Sequence, residues 1–278
     1  MNASIPCEPL PASTGRLAPR PHTAQAPTHP RGTSAGIGQR LRSHAFNTVF
    51  LGYTFLFVLS AYPLLLWPSR RPIARAMKRY AKGVVWLMRR VAGIRIEVRG
   101  REALPKSGAC ILASKHQSEA DGIIQMAVID DVAFVAMKEV GELPLVGPVL
   151  RKLEMVLIDS DGGARERGTL IEGGRNAVAA ARPILIYPEG TLMKVGERGR
   201  YRAGVYHLAA ELGVPVIPVA TDVGRCWDRR QKIKRPGVVT VSFLAPMQAG
   251  ADKRAFMAAL EDAIEDEGAR LAAEHARA

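Results

Sequence analysis

The chain has 278 residues, 47% hydrophobic and 23% charged, with a formal net charge of +13. That length suits one sizeable α/β domain with extensions and is short for two full domains. The basic excess asks for an anionic partner: nucleic acid, acidic lipid or a phosphate-bearing substrate. Nucleic acid fits worst, because the sequence has no zinc-ligand spacing, RNP-like strand or helix-turn-helix pattern, and its aromatics gather in an apolar N-terminal segment rather than among basic residues.

Residues 1–43 are rich in Pro, Thr, Arg and Ala and nearly free of large apolar side chains. Such a stretch cannot bury enough surface to offset chain entropy, so a disordered basic tail is expected. Residues 45–67 then carry no charge, over a length that matches the roughly 20 residues of a bilayer span. Tyr53, Tyr62 and Trp67 suit membrane interfaces, Arg70 and Arg71 follow, and Pro63 is placed to kink the helix. Spanning and hairpin arrangements both remain open. A buried core helix is the competing reading, and it usually has a polar face that this segment lacks. From 73 to 91, apolar residues recur at spacings of three and four, with Arg75, Lys78, Arg79, Lys82, Arg89 and Arg90 between them. A basic amphipathic helix suits an anionic membrane surface, and equally a helix packed on the domain with a solvated face. Residues 44–92 are therefore read as a membrane-associated segment and 93–278 as the catalytic domain.

Beyond residue 93, apolar runs alternate with helical patterns. Strands are expected at 94–98, 109–113, 132–136, 155–158, 183–187, 214–220 and 238–243. Helices are expected near 119–129, 142–153, 163–181, 203–212 and 252–275. The alternation predicts an α/β fold, with a mostly parallel central sheet flanked by helices and an N-terminal membrane helix or hairpin. Cys7, Cys110 and Cys226 are far apart and form no C-x-x-C pattern, so neither a disulfide framework nor a metal site is expected. Cys110 reads as a small buried hydrophobe. Reduced thiols suit a domain on the cytoplasmic side of the inner or plasma membrane.

Two segments carry chemistry. In the first, an apolar strand ends at Ala113, and a polar loop with His116 leads to a helix that begins near Glu119 and carries Asp121. Strand ends are where open α/β sheets place their sites. The five-residue offset lets the carboxylate fold back on the imidazole, fixing its tautomer so that His116 takes a proton at neutral pH. Ser118-x-x-Asp121 also resembles a capping box, in which His116 would be an ordinary loop residue. In the second, the strand at 184–187 ends in Pro188-Glu189-Gly190-Thr191. Gly190 permits close backbone approach to a ligand, Thr191 offers a hydroxyl, and loop amides suit an anion.

Together these segments resemble the 1-acyl-glycerol-3-phosphate acyltransferase family, the glycerolipid acyltransferases with an H-x4-D motif. The motif stands here as His116-Gln-Ser-Glu-Ala-Asp121. The family's F-P-E-G-T-R block stands as Tyr187-Pro-Glu-Gly-Thr-Leu192, its F-K-x-G element as Tyr201-Arg202-Ala203-Gly204, and its proline-broken strand as Val214-Pro215-Val216-Ile217-Pro218-Val219. The block that usually ends in I-D-R reads Ile158-Asp159-Ser160. Order and spacing agree over residues 95–245. The resemblance implies transfer of a fatty acyl chain from acyl-CoA or acyl-carrier protein to the sn-2 hydroxyl of 1-acyl-glycerol-3-phosphate, giving phosphatidate, without an acyl-enzyme, a metal or an organic cofactor. His116 would be the general base and Asp121 its orienting partner. Glu189, Gly190, Thr191, Arg202 and Lys138 would bind substrate.

Two departures bear on the acceptor. The family's arginines after I-D and E-G-T are Ser160 and Leu192 here, a loss of two bidentate anion contacts. Lys138, Lys194, Arg198, Arg200 and Arg202 are candidate replacements, Arg202 foremost because it holds the family's basic position. Another lysolipid acceptor, such as a lyso-ornithine lipid, is the near alternative. A non-catalytic binder of anionic lipid is the alternative from another class, and it would need neither His116 nor Asp121.

Overall fold

The computed structural model describes residues 36–106, 108–159, 163–228 and 232–276. Cys7, Ser160 and most of the expected tail lie outside these residues. Helix α1 (Ile37–Ala61) begins seven residues earlier than the sequence suggested. Its first turns gain tertiary partners that composition could not reveal: Arg42 Nε donates to the Val91 carbonyl at 2.7 Å and Gln39 Nε2 to that of Lys234 at 3.3 Å. At Pro63 the α-helix gives way to a 3-10 turn, Tyr62–Leu66. Helix α2 (Arg71–Leu87) returns against α1 and runs into a π-turn at Met88–Ala92.

The residues that follow form a domain around a seven-stranded sheet. Its strands are β1 (Ile94–Arg99), β2 (Ile111–Ser114), β3 (Ala133–Met137), β4 (Val156–Ile158), β5 (Ile184–Ile186), β6 (Val216–Thr221) and β7 (Gly237–Phe243), ordered β1-β7-β6-β2-β5-β3-β4. Strands β6, β2, β5, β3 and β4 run parallel, β7 turns antiparallel to β6, and β1 pairs parallel with β7. The helices between them are α3 (Ala120–Val128), α4 (Lys138–Glu142), α5 (Gly147–Lys152), α6 (Gly163–Ala179), α7 (Gly204–Leu212) and α8 (Lys253–Ala276). One expected helix, 142–153, is two short ones. Pro144 disfavours helical dihedrals at Leu143, which sits at ψ 127°, so the chain breaks there.

Strand β2 shows how the sheet is buried on both sides. Leu112 points to the layer holding Val84, Met88 and Ile124. Ile111 and Ala113 point to the opposite layer, with Leu170, Val205 and Leu260. Alternation of period two puts successive side chains in different cores, and continuous apolar runs are the signature of a parallel strand covered on both faces. Helices α2 and α3 cover one face; α6, α7 and α8 cover the other.

The hairpin of α1 and α2 is tied to this domain at both ends. Phe46 and Phe50 meet the Trp227 ring edge-on, at 5.2 and 5.5 Å between centroids. At the far end the Tyr62 hydroxyl donates to the Pro144 carbonyl at 2.8 Å. Between them Tyr53 and Phe57 stack on Tyr80, whose hydroxyl is 2.9 Å from Thr54 Oγ1. The outer face stays open, with Leu51 65%, Phe55 60% and Leu59 56% exposed. The stretch Ile37–Leu66 is long and apolar enough to cross a membrane.

Candidate active site

The register of the sheet joins the two chemical segments. Strands β2 and β5 are neighbours, with Ala113 opposite Ile186. The loop after β2 and the loop after β5 therefore leave the sheet side by side, at the carboxyl ends of the parallel strands.

His116 and Asp121 meet as their spacing predicted, with Nδ1 3.2 Å from Asp121 Oδ2. The same carboxylate oxygen accepts the backbone N–H groups of Gln117 at 2.7 Å and Ser118 at 2.8 Å. Ser118 Oγ accepts the N–H of Ala120 at 3.1 Å. Asp121 thus fastens the turn into α3 as a capping acid does, and holds the imidazole as well. The two readings of this segment are compatible. Asp121 is buried beneath the loop, whereas the His116 side chain is 22% exposed.

The His116 ring lies flat on Tyr187, with centroids 3.8 Å apart and planes at 13°. Tyr187 donates its hydroxyl to Gln125 Oε1 at 3.2 Å, and Gln125 Nε2 donates to Ser114 Oγ at 2.6 Å. Burial, and then the Asp121 charge, push the Tyr187 phenol well above its ordinary value, so it stays a neutral donor. The His116 backbone is pinned too. Its N–H donates to Glu189 Oε2 at 3.0 Å and its carbonyl accepts from the Met193 N–H at 2.7 Å.

Glu189 departs from the sequence expectation. Its side chain is wholly buried, with Oε1 2.6 Å from Lys115 Nζ, and it is not among the residues that line the cavity. It shapes the loop and has no surface left for a substrate phosphate. Burial raises its pKa, and the neighbouring Lys115 ammonium counters that rise. Lys138 is exposed at the start of α4 and is likewise not brought to the cavity.

The other expected residues converge. A cavity of 560 Å³ is lined by His116, Gly190, Thr191 and Arg202. Its apolar wall comes from Phe134, Met137, Val140, Ile158, Leu170 and Ile186; Arg167 adds a cation from α6, and His207 adds an imidazole from α7 that burial and the Arg167 charge hold below its ordinary pKa. Leu192, which replaces a family arginine, lines it as well. Gly190 sits at φ +65°, and a Cβ there would come within 2.9 Å of Arg202 Nε, so only glycine leaves that guanidinium in place. Arg198 is directed elsewhere, toward Asp266 on α8 at 3.3 Å. Sequence reading missed Lys115 and Gln125: a lysine at the end of an apolar strand carries no sign that its ammonium is buried.

The parallel strands β2 to β6, the His–Asp pair at their ends and the cavity beside them fall within residues 95–222, which match the family model described as Acyltransferase. A 1-acyl-sn-glycerol-3-phosphate acyltransferase of Pseudomonas aeruginosa is 30% identical over 212 residues, covering 76% of this chain and 82% of that protein. The human beta enzyme of the same name is 27% identical over 172 residues, covering 61% and 62%. The crystal structure of the 1-acyl-sn-glycerophosphate acyltransferase of Thermotoga maritima shares the fold, with a TM-score of 0.67 at 20% identity, covering 85% of this chain and 96% of that one. The chain belongs to the 1-acyl-sn-glycerol-3-phosphate acyltransferase family and is an O-acyltransferase.

Proposed function

We propose that the protein acylates the sn-2 hydroxyl of 1-acyl-glycerol-3-phosphate, with acyl-CoA or acyl-carrier protein as donor, and so makes phosphatidate. The observation that carries this reading is the His116–Asp121 contact at 3.2 Å beside the cavity. With Nδ1 held by the carboxylate, Nε2 is the nitrogen that takes the acceptor's proton. The hydroxyl oxygen attacks the thioester carbon, the C–S bond breaks as the tetrahedral intermediate collapses, and the proton on His116 passes to the leaving thiolate. Asp121 keeps the tautomer and stabilises the imidazolium in between. The apolar wall accommodates an acyl chain. Arg202, with Gly190 and Thr191 beside it, receives the acceptor's phosphate.

Attachment is to one membrane surface, through the open face of α1. Both ends of that helix are held to the catalytic domain, by Gln39 on the Lys234 carbonyl and by Tyr62, just past its last turn, on the Pro144 carbonyl. A helix standing across the bilayer would put those ends on opposite sides. Basic residues of α2 (Arg75, Arg79, Lys82) would face anionic headgroups on the cytoplasmic side.

Leu192 in the cavity favours a second reading, in which the acceptor is a lysolipid with another head group. Purified full-length protein in micelles, given a panel of lysolipids and both donors, tests the two. The first reading expects lysophosphatidate to be the fastest acceptor and His116→Ala to be inactive. A folded His116→Ala that keeps wild-type rates would overturn the mechanism, and a preference for a zwitterionic acceptor would overturn the substrate.

A further inference from the structure

Lys115 precedes the catalytic histidine and has no part in the chemistry above, yet the residue is only 3% exposed. Nζ lies 2.6 Å from Glu189 Oε1 and 2.6 Å from Glu265 Oε1, and it donates to the Glu197 carbonyl at 2.9 Å. Of these three acceptors, Glu265 Oε1 and the Glu197 carbonyl take hydrogen bonds from the ammonium, and Glu189 Oε1 faces it as an ion pair. Glu265 belongs to α8, 150 residues along the chain from Lys115. Its Oε1 also accepts the Tyr201 hydroxyl at 3.1 Å. Tyr201 stands next to Arg202, and the Arg202 N–H donates to the Pro188 carbonyl at 2.8 Å.

These contacts form one buried path: Glu265 to Lys115, Lys115 to Glu189, and Glu189 to the N–H of His116. Stability is a poor reason to bury three charges, because apolar residues of similar volume serve it as well or better. What such a cluster does supply is a fixed geometry for the backbone it grips. The backbone it grips carries the imidazole.

We propose that Lys115 and Glu265 are positioning residues for His116, so that the C-terminal helix α8 sets the place of the catalytic imidazole through Glu189. This rests on His116 being the base. Neither side chain touches substrate. Losing them displaces the imidazole relative to the bound hydroxyl and leaves the cavity walls that bind both substrates intact, so the effect falls on kcat.

The experiment is steady-state kinetics of the full-length protein in micelles, with 1-acyl-glycerol-3-phosphate and whichever thioester donor the wild type uses, alongside thermal unfolding. Glu265→Gln keeps an acceptor for Tyr201 and removes the charge; kcat should fall roughly tenfold with both KM values within about twofold of wild type. Lys115→Met should lose roughly 100-fold in kcat, and Lys115→Arg should recover part of it. The double variant Lys115→Met/Glu265→Gln should be no slower than Lys115→Met alone, since the two act on one path. Ile264→Val, in the core beside Glu265, should lower Tm and leave kcat within about twofold of wild type. The proposal is overturned if Glu265→Gln keeps wild-type kcat, if KM rises while kcat holds, or if the two losses add. If Glu265→Gln does not fold, Tyr201→Phe replaces it, with roughly a threefold fall in kcat expected and an unchanged kcat overturning the proposal. His116→Ala separates the two levels. An active His116→Ala removes the base and this inference with it, whereas an inactive one beside a wild-type-like Glu265→Gln removes only the network.

Discussion

Two regions of this molecule invert the usual partition of charge and apolar surface. Below the catalytic loop, Lys115, Glu189 and Glu265 are buried. On the outer face of α1, Leu51, Phe55 and Leu59 stand open. Both arrangements are costly in water, and both need compensation. The difference lies in where the compensation comes from. The buried charges find each other within 2.6 Å, so their partners are inside the fold. The apolar stripe has no covering element among the described residues, and its length and composition suit a membrane. An internal inversion fixes geometry; an external one marks an interface.

The largest expected effect tests the inner region. His116→Ala should lower the acyl-transfer rate about 1,000-fold, the size of a general-base contribution, while the far-ultraviolet spectrum and Tm stay near wild type. A rate within tenfold of wild type would place the base elsewhere.

Lys115→Met attacks the same region through stability. It leaves two buried carboxylates without their cation, which should cost about 3 kcal/mol in chemical denaturation near neutral pH. The sign of its pH dependence follows from Glu189. Burial already raises that carboxyl above its ordinary 4.5, against the Lys115 charge; without Lys115 it rises further. A group whose pKa is higher in the folded state favours folding below its unfolded pKa, and that contribution is lost as pH rises through the folded value. The variant should therefore gain stability relative to wild type as pH falls from 7 toward about 5. A difference that stays constant with pH would show that Glu189 does not feel the ammonium.

The outer region is broken by Leu51→Ser/Phe55→Ser/Leu59→Ser. Each side chain gives up roughly 1 kcal/mol of burial in lipid, so affinity for anionic vesicles should fall roughly 100-fold in a flotation assay, with little change in Tm. A matching loss of Tm would mean that this face packs on protein instead. The smallest effect is Arg202→Ala, which should raise KM for lysophosphatidate about tenfold, or about 1.4 kcal/mol. An unchanged KM would transfer the phosphate to Arg167, the other arginine that lines the cavity.

Local patterns carried far in this chain. The strand at 184–186 was legible because a parallel strand buried on both faces reads as a continuous apolar run, and that at 237–243 because Val239, Val241 and Phe243 recur at every second position. The His116–Asp121 pair was legible because its partners are five residues apart and a strand end and a helix start frame them. The start of α1 was not, since residues 37–43 become helical through bonds to Val91 and Lys234 that no local pattern announces. The break at Leu143 could have been read from Pro144, but the flanking apolar spacing masked it. Glu189 was legible as a loop residue of the site, but its motif does not say which way a carboxylate turns, and here it turns inward to Lys115.

By itself the sequence determined the alternating fold, the apolar segment and the His116–Asp121 contact, all of which rest on periodicity or on partners within about one turn. Only the tertiary structure decided what depends on distant segments meeting. It laid β5 beside β2, spent Glu189 on the loop, kept Lys138 out of the cavity and brought Glu265 to Lys115. Those outcomes follow from strand order and from the seat of α8, and a one-dimensional pattern carries no record of either.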